Sequence, residues 1–195
     1  MLSQAANFLL QTIEFVFIYP ALLRFYLQLM RVPSRNPISN FVIAITDFAV
    51  RPLRKFVPGL NGVDVASLLW AWLMEIVLLL LFAAVMGANL LMGGPIVFSA
   101  IAFLAFVKLI EFSLNLLFFA ILAQALLSWI NPYNPVQPVF VALTRPFLRP
   151  VQRILPTLGG VDLSPMVVMV LCQLMLMIPV RMLENTAMRM ISFAG

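Results

Sequence analysis

The sequence predicts an all-α membrane protein with about four transmembrane helices, arranged as two parallel helix-loop-helix repeats. Hydrophobic residues make up 64% of the 195 residues, charged residues make up 10%, and the mean hydropathy is +1.08. Because about a quarter of the residues in a soluble domain are charged, this composition indicates a chain that folds in a lipid bilayer. The chain has no histidine and one cysteine, Cys172, so it lacks the commonest metal ligand and can form no internal disulfide.

An internal duplication gives the repeats. Residues 36–69 match residues 134–167 without a gap, at an offset of 98 residues. The identical positions are mostly Pro, Gly, Arg and Asp, which shared apolar composition does not account for. We therefore predict a first repeat over residues 1–97 and a second over residues 98–195.

The apolar runs predict where the chain crosses the bilayer. A hydrocarbon core about 30 Å thick needs roughly 20 apolar residues per helix, and suitable runs lie near 6–30, 66–87, 108–130 and 163–183. The run before the third crossing is long, since 36 residues of helix would reach about 54 Å. We expect residues 96–107 to form an interfacial or re-entrant connector, with part of a span as the remaining alternative.

The basic residues predict the orientation. The loops at 31–65 and 131–162 contain eight of the twelve basic residues, and the positive-inside rule places both in the cytoplasm. Two crossings between them satisfy that placement, so we expect both termini outside and parallel rather than inverted repeats. Arg181 and Arg189 in the tail count weakly against it.

Both basic loops have helical amphipathic patterns, which are typical of segments that lie in the membrane interface. The candidate residues for docking anionic lipid or a partner are Arg51, Arg54, Lys55, Arg145, Arg149 and Arg153. The simpler interpretation, that these cations only fix the topology, stays open, and nucleic acid is not expected as a partner. Because proline does not continue a regular helix, we expect two short helices in each loop, with a bend before the Arg-Pro pair.

The compound motif of the loops resembles a known family. Asn-Pro is followed by Arg-Pro with basic residues, then Pro, then Gly-Val-Asp, as in Arg51 to Asp64 and Arg149 to Asp162. This pattern resembles the YggT family of integral membrane proteins over nearly the whole chain, although Asp47 stands where the second copy has Arg145. The resemblance implies a small multi-pass protein of the bacterial inner membrane, linked to osmotic-stress tolerance and ion homeostasis. Plastid and cyanobacterial relatives are linked to membrane-complex assembly and nucleoid distribution.

Asp64 and Asp162 come just before the second apolar run of each repeat. A carboxylate there can accept hydrogen bonds from the first helical turn and meet the positive end of the helix dipole, so we predict helix caps. The alternative pairs each aspartate with a loop arginine such as Arg51 or Arg149. In either case the aspartates order the structure.

Polar residues within the predicted spans are the sharper functional signal, because charges in hydrocarbon are costly and face the protein interior. Glu75 and Gln173 occupy equivalent repeat positions, and Lys108 can pair with Glu111 at i, i+3. Glu14 and Arg24 lie about 15 Å apart along one helix and need partners on other helices. The set forms an interhelical polar clamp or an ion path; its members are Glu14, Arg24, Glu75, Lys108, Glu111 and Gln173.

Three function classes follow from these patterns. We expect a non-enzymatic structural, assembly or membrane-organising protein, with an ion channel or transporter subunit as the alternative. An enzyme is not expected, since there is no nucleophile beside a base, no phosphate-binding loop and no metal-ligand motif. No cofactor is expected either. The expected partners are the bilayer and its anionic lipids, with other membrane proteins or a second copy of the chain left open.

Overall fold

The computed structural model describes residues 2–32, 36–57, 59, 62–87, 94–131, 133–155 and 162–194, and these residues are predominantly helical and contain no β-strand. Two π-helical segments, Glu14–Ile18 and Leu176–Val180, join α1 to α2 and α7 to α8. The helices in chain order are α1 (Leu2–Ile13), α2 (Tyr19–Leu29), α3 (Pro37–Leu53), α4 (Val65–Val85), α5 (Gly94–Ile130), α6 (Gln137–Ile154), α7 (Ser164–Met175) and α8 (Arg181–Ala194).

Four stretches are long and apolar enough to cross a bilayer, and we number them as spans 1 to 4. They are Gln4–Leu29, Val65–Val85, Gly94–Ile130 and Ser164–Ser192. The predicted fold class, an all-α protein with about four membrane-spanning helices, is therefore confirmed. In each repeat a basic helix, α3 or α6, lies between the two spans in sequence.

Span 3 corrects one expectation. Residues 96–107 are not a separate connector, because they form the first part of α5, a single helix of 37 residues. Val97, Ile101 and Leu104 are buried along it, and the Trp72 indole nitrogen donates to the Ala102 carbonyl oxygen at 3.0 Å. At about 1.5 Å per residue α5 is roughly 55 Å long, longer than a bilayer core. It is stabilised by packing on α4 and α8.

The π-helical segments both lie beside prolines inside a span. Pro20 follows the first segment closely, and Pro179 lies within the second. Proline has no backbone N–H, and its ring crowds the preceding helical turn. A wider π turn relieves that crowding without breaking the helix. Spans 1 and 4 consequently each contain one irregular turn.

The basic helices correct a second expectation, since neither is divided into two short helices. α3 runs to Leu53, with Pro52 in its last turn, and α6 continues through Pro146 and Pro150. Both of these prolines are on the exposed side of α6, where carbonyl groups that lose their helical partner can bond to water. The cost of an internal proline is lowest at such positions.

The hydrophobic core joins the two repeats. Ile18 and Leu22 of span 1 pack with Ala71 of α4 and with Leu109 and Phe112 of α5. A second cluster, made of Leu27, Val42, Val139 and Leu143, joins α2 and α3 to α6. A third cluster packs α5 and α6 against α7, through Ile121, Leu148, Val168 and Cys172. Helix α5, although it belongs to the second repeat, is therefore part of the core of the first.

Candidate functional site

Arg24 is the centre of a buried polar network in the first repeat. Its Nη1 donates to the Thr46 hydroxyl at 2.8 Å, and its Nη2 donates to Asp47 Oδ1 at 3.0 Å. Its Nε lies 3.4 Å from Asp64 Oδ2, and the Arg24 side chain is 8% exposed. One guanidinium from α2 therefore holds both α3 and the start of α4. The sequence predicts that Arg24 has a partner on another helix, and the structure supplies three partners, two on α3 and one at the start of α4.

Asp64 combines the two roles that the sequence left as alternatives. It is the N-cap of α4 and accepts from the Ser67 backbone N–H at 3.4 Å and from the Ser67 hydroxyl at 2.6 Å. It also accepts from Arg54, with Nε at 3.2 Å from Oδ1 and a second contact from Nη2 to Oδ2. The cations that pair with Asp64 are thus Arg54 and Arg24 rather than Arg51. We call Arg24, Thr46, Asp47, Arg54 and Asp64 the Arg24 network.

The charge state of Asp64 follows from these contacts. Burial by itself would raise the pKa of the Asp64 carboxyl, but hydrogen bonds from Arg54 and Ser67 and the charges of Arg54 and Arg24 outweigh burial. The pKa of Asp64 therefore lies below its ordinary value, and Asp64 is a carboxylate at neutral pH.

The second repeat builds the same junction from uncharged partners. The Thr144 hydroxyl donates to Gln124 Oε1 and lies 2.8 Å from the Phe140 carbonyl oxygen. Gln152 Nε2 donates to Asp162 Oδ2 at 2.8 Å, and the Ser164 backbone N–H donates to Asp162 Oδ1 at 2.9 Å. Burial acts to raise the pKa of Asp162, yet the hydrogen bonds from Ser164 and Gln152 leave that pKa below its ordinary value. Asp162 thus also contacts the first turn of its span.

Two charged positions of the Arg24 network differ between the repeats when residues 98 apart are compared. Asp47 corresponds to Arg145, and Arg54 corresponds to Gln152. In the first repeat both side chains make ion pairs, Asp47 with Arg24 and Arg54 with Asp64, and they are 40% and 42% exposed. In the second repeat a neutral amide replaces the base Arg54, and an arginine replaces the acid Asp47. In the second repeat Asp162 is therefore held by an amide, and Arg145 lies exposed on α6 without an ion pair among the described residues.

The α6 arginines form a basic groove. Arg145, Arg149 and Arg153 are all exposed, and with Pro146 and Pro150 they line a concavity of about 420 Å³. Within the part of the chain that the structure describes, these three arginines make no ion pair. The candidate docking residues at the end of α3, Arg51, Arg54 and Lys55, are all exposed, and Arg54 among them pairs with Asp64.

A second polar group lies within the membrane spans, around Lys108. Lys108 Nζ lies 2.7 Å from Glu111 Oε2, as the i, i+3 spacing predicts, and 2.9 Å from Glu184 Oε1 on α8. Sequence reasoning missed Glu184 because span 4 was expected to end at residue 183. The signal that would have found it is the length of span 3, whose extra turns need a partner helix of matching length.

Glu75 is the most deeply buried acid of the spans, at 1% exposed. Its Oε2 atom has no hydrogen-bond partner among the residues that the structure describes. Glu75 lies in electrostatic range of Glu14, Lys108 and Glu111. The structure therefore brings four of the predicted intramembrane residues together and leaves Arg24 in its own network.

Gln173 does not share the environment of Glu75, although the repeat makes them equivalent. The buried stripe of α4 includes Ser67, Ala71 and Glu75, whereas that of α7 consists of residues one position earlier than the offset predicts. One residue turns a side chain by about 100° around a helix, so Gln173 points outward. It lines a polar groove of about 580 Å³ between α5 and the α7–α8 span; the other polar residues there are Glu111, Asn115, Arg181 and Glu184.

Two further observations bear on ligands. An apolar cavity of about 650 Å³ lies between the repeats and is lined by residues of α2, α4, α5 and α6, among them Trp72 and Phe147. Across the described ranges, no group of three or more His, Cys, Asp or Glu is arranged to hold a metal ion.

The chain is similar to a family of known proteins. The sequence model of the CCB3/YggT family matches residues 2–85 and 103–183, two stretches that agree with the internal duplication. The chain is 36% identical over 166 residues to an uncharacterised protein of Pseudomonas aeruginosa, covering 84% of this chain and 82% of the relative. It is 34% identical over 169 residues to an uncharacterised protein of Vibrio alginolyticus, covering 84% and 87%.

A third relative carries the family name. The chain is 32% identical over 166 residues to the uncharacterised protein YggT of Escherichia coli, covering 85% of this chain and 84% of the relative. No solved structure matches the chain. The family model and these relatives each cover most of the chain and confirm the resemblance that the Arg-Pro and Gly-Val-Asp motifs predict. The chain therefore belongs to the CCB3/YggT family.

Proposed function

We propose that this protein is a non-enzymatic membrane-organising protein of the bacterial inner membrane that gathers anionic lipids at its cytoplasmic face through α6. The observation that carries the proposal is the contrast between the repeats. The first repeat uses Arg54 and Asp47 inside the Arg24 network. The second leaves the arginines of the basic groove exposed, and the described residues offer them no carboxylate.

The spacing of these arginines suits a layer of headgroups. Arg145, Arg149 and Arg153 are separated by four residues each, so they lie on one side of α6 over about 12 Å. A guanidinium can donate two parallel hydrogen bonds to a phosphate group. Each basic residue near an anionic membrane surface contributes about 1 kcal/mol of attraction. Together the three arginines favour anionic lipids by about 3 kcal/mol.

The attachment of α6 favours lipid over a soluble partner. Val139, Leu143 and Leu148 anchor α6 to the spans, which keeps the helix beside the bilayer. Phe147 and Val141 on the same helix are partly exposed, and apolar side chains at the level of the headgroups enter the acyl boundary. The family resemblance adds a link to osmotic-stress tolerance, in which control of the lipids around the protein would take part.

Lipid retention by the purified full-length protein tests this function. We expect native mass spectrometry of wild-type protein from mixed phosphatidylglycerol and phosphatidylcholine vesicles to show bound phosphatidylglycerol. The variant with Arg145→Gln, Arg149→Gln and Arg153→Gln should bind it about 100-fold more weakly, since 1.4 kcal/mol corresponds to a factor of ten. Neutralising Arg31 and Arg189, which lie outside α3 and α6, serves as the control. Equal retention by all three proteins would leave the α6 arginines with a topological role only.

A second candidate function is a channel or transporter subunit. The observation that favours it is Glu75, an acid placed within span 2 and almost fully buried. Buried acids in membrane spans mark ion and proton paths. Proton flux into vesicles that contain the protein tests this candidate, with the Glu75→Gln variant as the comparison.

A further inference from the structure

The starting point is an imbalance of charge within the membrane spans. Lys108 and four acids, Glu14, Glu75, Glu111 and Glu184, interact within one cluster. Four carboxylates therefore accompany one ammonium group. An uncompensated charge in hydrocarbon is costly, so the cluster is more stable when it gains positive charge.

The contacts show which acid of the cluster lacks a compensating positive charge. Glu111 and Glu184 both contact Lys108, at 2.7 and 2.9 Å, and so share its charge. Glu75 is 1% exposed, and its Oε2 atom meets no hydrogen-bond donor among the described residues. A buried carboxylate oxygen without a donor is costly, whereas the neutral acid is not.

The charged groups in electrostatic range of Glu75 are Glu14, Lys108 and Glu111. Glu14 belongs to the π-helical segment of span 1, and Tyr19 follows that segment and senses the same charges. Lys108 and Glu111 lie on α5, and Glu184 lies on α8. Lys108 is already shared by two acids, and Arg181 at the start of α8 lines the groove beside the same two acids.

The polar groove gives this cluster a route to the surface. Glu111 and Glu184 line the groove between α5 and the α7–α8 span, and both contact Lys108. Lys108 in turn lies in electrostatic range of Glu75, whose Oε2 atom has no hydrogen-bond partner among the described residues. Titratable groups thus extend from the groove to within electrostatic range of the buried acid.

We propose that Glu75 is a proton-binding site within the membrane layer, which exchanges its proton with the polar groove through Lys108 and its partners Glu111 and Glu184. In the loading step a hydronium ion in the groove first gives a proton to the carboxylate of Glu111 or Glu184. One N–H bond of the Lys108 ammonium then breaks and an O–H bond forms on Glu75, with a water molecule relaying the proton between the two groups. The neutral amine takes the proton from the acid form of Glu111 or Glu184, which returns to its carboxylate. Unloading reverses these steps.

A proton suits the site better than a metal ion. Hard metal cations take about six oxygen ligands, and no group of three acids in the described ranges is arranged to hold a metal ion. A proton needs only the one oxygen that Glu75 offers. The inference deepens the second candidate function and is independent of lipid docking by α6.

Infrared spectroscopy of the full-length protein in lipid vesicles tests the site directly. At neutral pH we expect a carboxylic-acid C=O band that the Glu75→Gln variant lacks and the Asp162→Asn variant keeps. Glu75→Gln preserves size and hydrogen-bonding capacity, and circular dichroism checks that it folds. A wild-type spectrum without such a band, or a band that persists unchanged in Glu75→Gln, overturns the proposal.

Exchange into D₂O tests the route. The band should shift as the acid exchanges its proton, and Lys108→Met should slow the shift by roughly 100-fold, the contribution of a positioned proton-transfer group. An equal rate in Lys108→Met overturns the route through Lys108. Proton flux under a membrane potential distinguishes proton binding from proton transport. An infrared band that depends on Glu75, without proton flux, supports the proton-binding site and excludes the channel or transporter function.

Discussion

Arg24 and Asp64 form an ion pair between the end of span 1 and the start of span 2, with Nε 3.4 Å from Oδ2 and the two side chains 8% and 1% exposed. Asp64 also caps α4 and binds Arg54, while Arg24 reaches Asp47 on α3. A single buried pair therefore fixes three helices relative to one another. Its loss should affect the whole first repeat.

The Asp64→Asn variant should be strongly destabilised. Removal of one partner leaves Arg24 buried without its full compensation, which costs about 3 kcal/mol or more. Asp162→Asn is the matched control, because Asp162 is exposed and is held by Gln152 rather than by an arginine. We expect a loss of about 1 kcal/mol or less there. Unfolding of the purified proteins in detergent measures both losses of stability. Equal losses would mean that the ion pairs of Asp64 do not stabilise the Arg24 network.

Low pH should destabilise the Arg24 network. Because the pKa of Asp64 in the folded protein lies below its ordinary value of 3.8, the unfolded chain binds more protons there. The contribution of Asp64 to stability is therefore complete above the ordinary pKa and is lost as the pH falls through the lowered one. We expect detergent unfolding temperatures to drop below about pH 4 in the wild type and to drop less in Asp64→Asn. Parallel curves for the two proteins would refute this assignment.

Much of the fold follows from periodicity and composition, and the deviations come from tertiary contacts. Apolar runs and the 98-residue repeat predict four spans, yet hydropathy does not show that residues 96–107 and 184–192 continue two helices that support each other. Proline rules predict a break in α6, but the helix tolerates Pro146 and Pro150 on its exposed side. A neighbouring helix distant in sequence decides the first outcome, and the orientation of α6 relative to the protein decides the second.

The pair formed by Lys108 and Glu184 should be energetically coupled. A double-mutant cycle with Lys108→Met and Glu184→Leu should give a coupling energy of about 1 kcal/mol, in the range for residues in contact. The same cycle with Lys108→Met and Asp162→Asn should be additive within about 0.5 kcal/mol, because distant sites act independently. Thermal unfolding in detergent provides the values. Additivity for Lys108 and Glu184 would mean that α8 does not pack on α5 as described.

The hydrogen bond from Trp72 to Ala102 should stabilise the first part of α5 against α4. Trp72→Phe removes the donor and should cost about 1 kcal/mol. Trp129→Phe is the control, since Trp129 is 78% exposed and should tolerate the change. The same unfolding assay distinguishes them, and indifference to Trp72→Phe would favour a loosely attached connector over a packed helix.

The candidate sites show the limit of reasoning from local spacing. The Lys108–Glu111 pair could be predicted because both residues lie on one helix. The sequence predicts that Arg24 has partners on other helices but does not identify them, because Asp47 and Asp64 approach it only after α3 and α4 pack. The equivalence of Glu75 and Gln173 assumes equal helix rotation in both repeats. The one-residue shift of the buried stripe in α7 removes that equivalence.

The parallel arrangement of the two repeats, which places α6 at the cytoplasmic face, requires α3 and α6 to face the same aqueous side. Single cysteines in a Cys172→Ser background test this most directly, at Asn40 on α3, at Tyr133 before α6 and at Met86 between spans 2 and 3; all three positions are exposed. With a membrane-impermeant maleimide on intact cells, we expect labelling of Met86→Cys and protection of Asn40→Cys and Tyr133→Cys until the membrane is opened. Labelling of only one of the two basic-helix positions would mean an odd number of crossings between them and would contradict the parallel four-span arrangement.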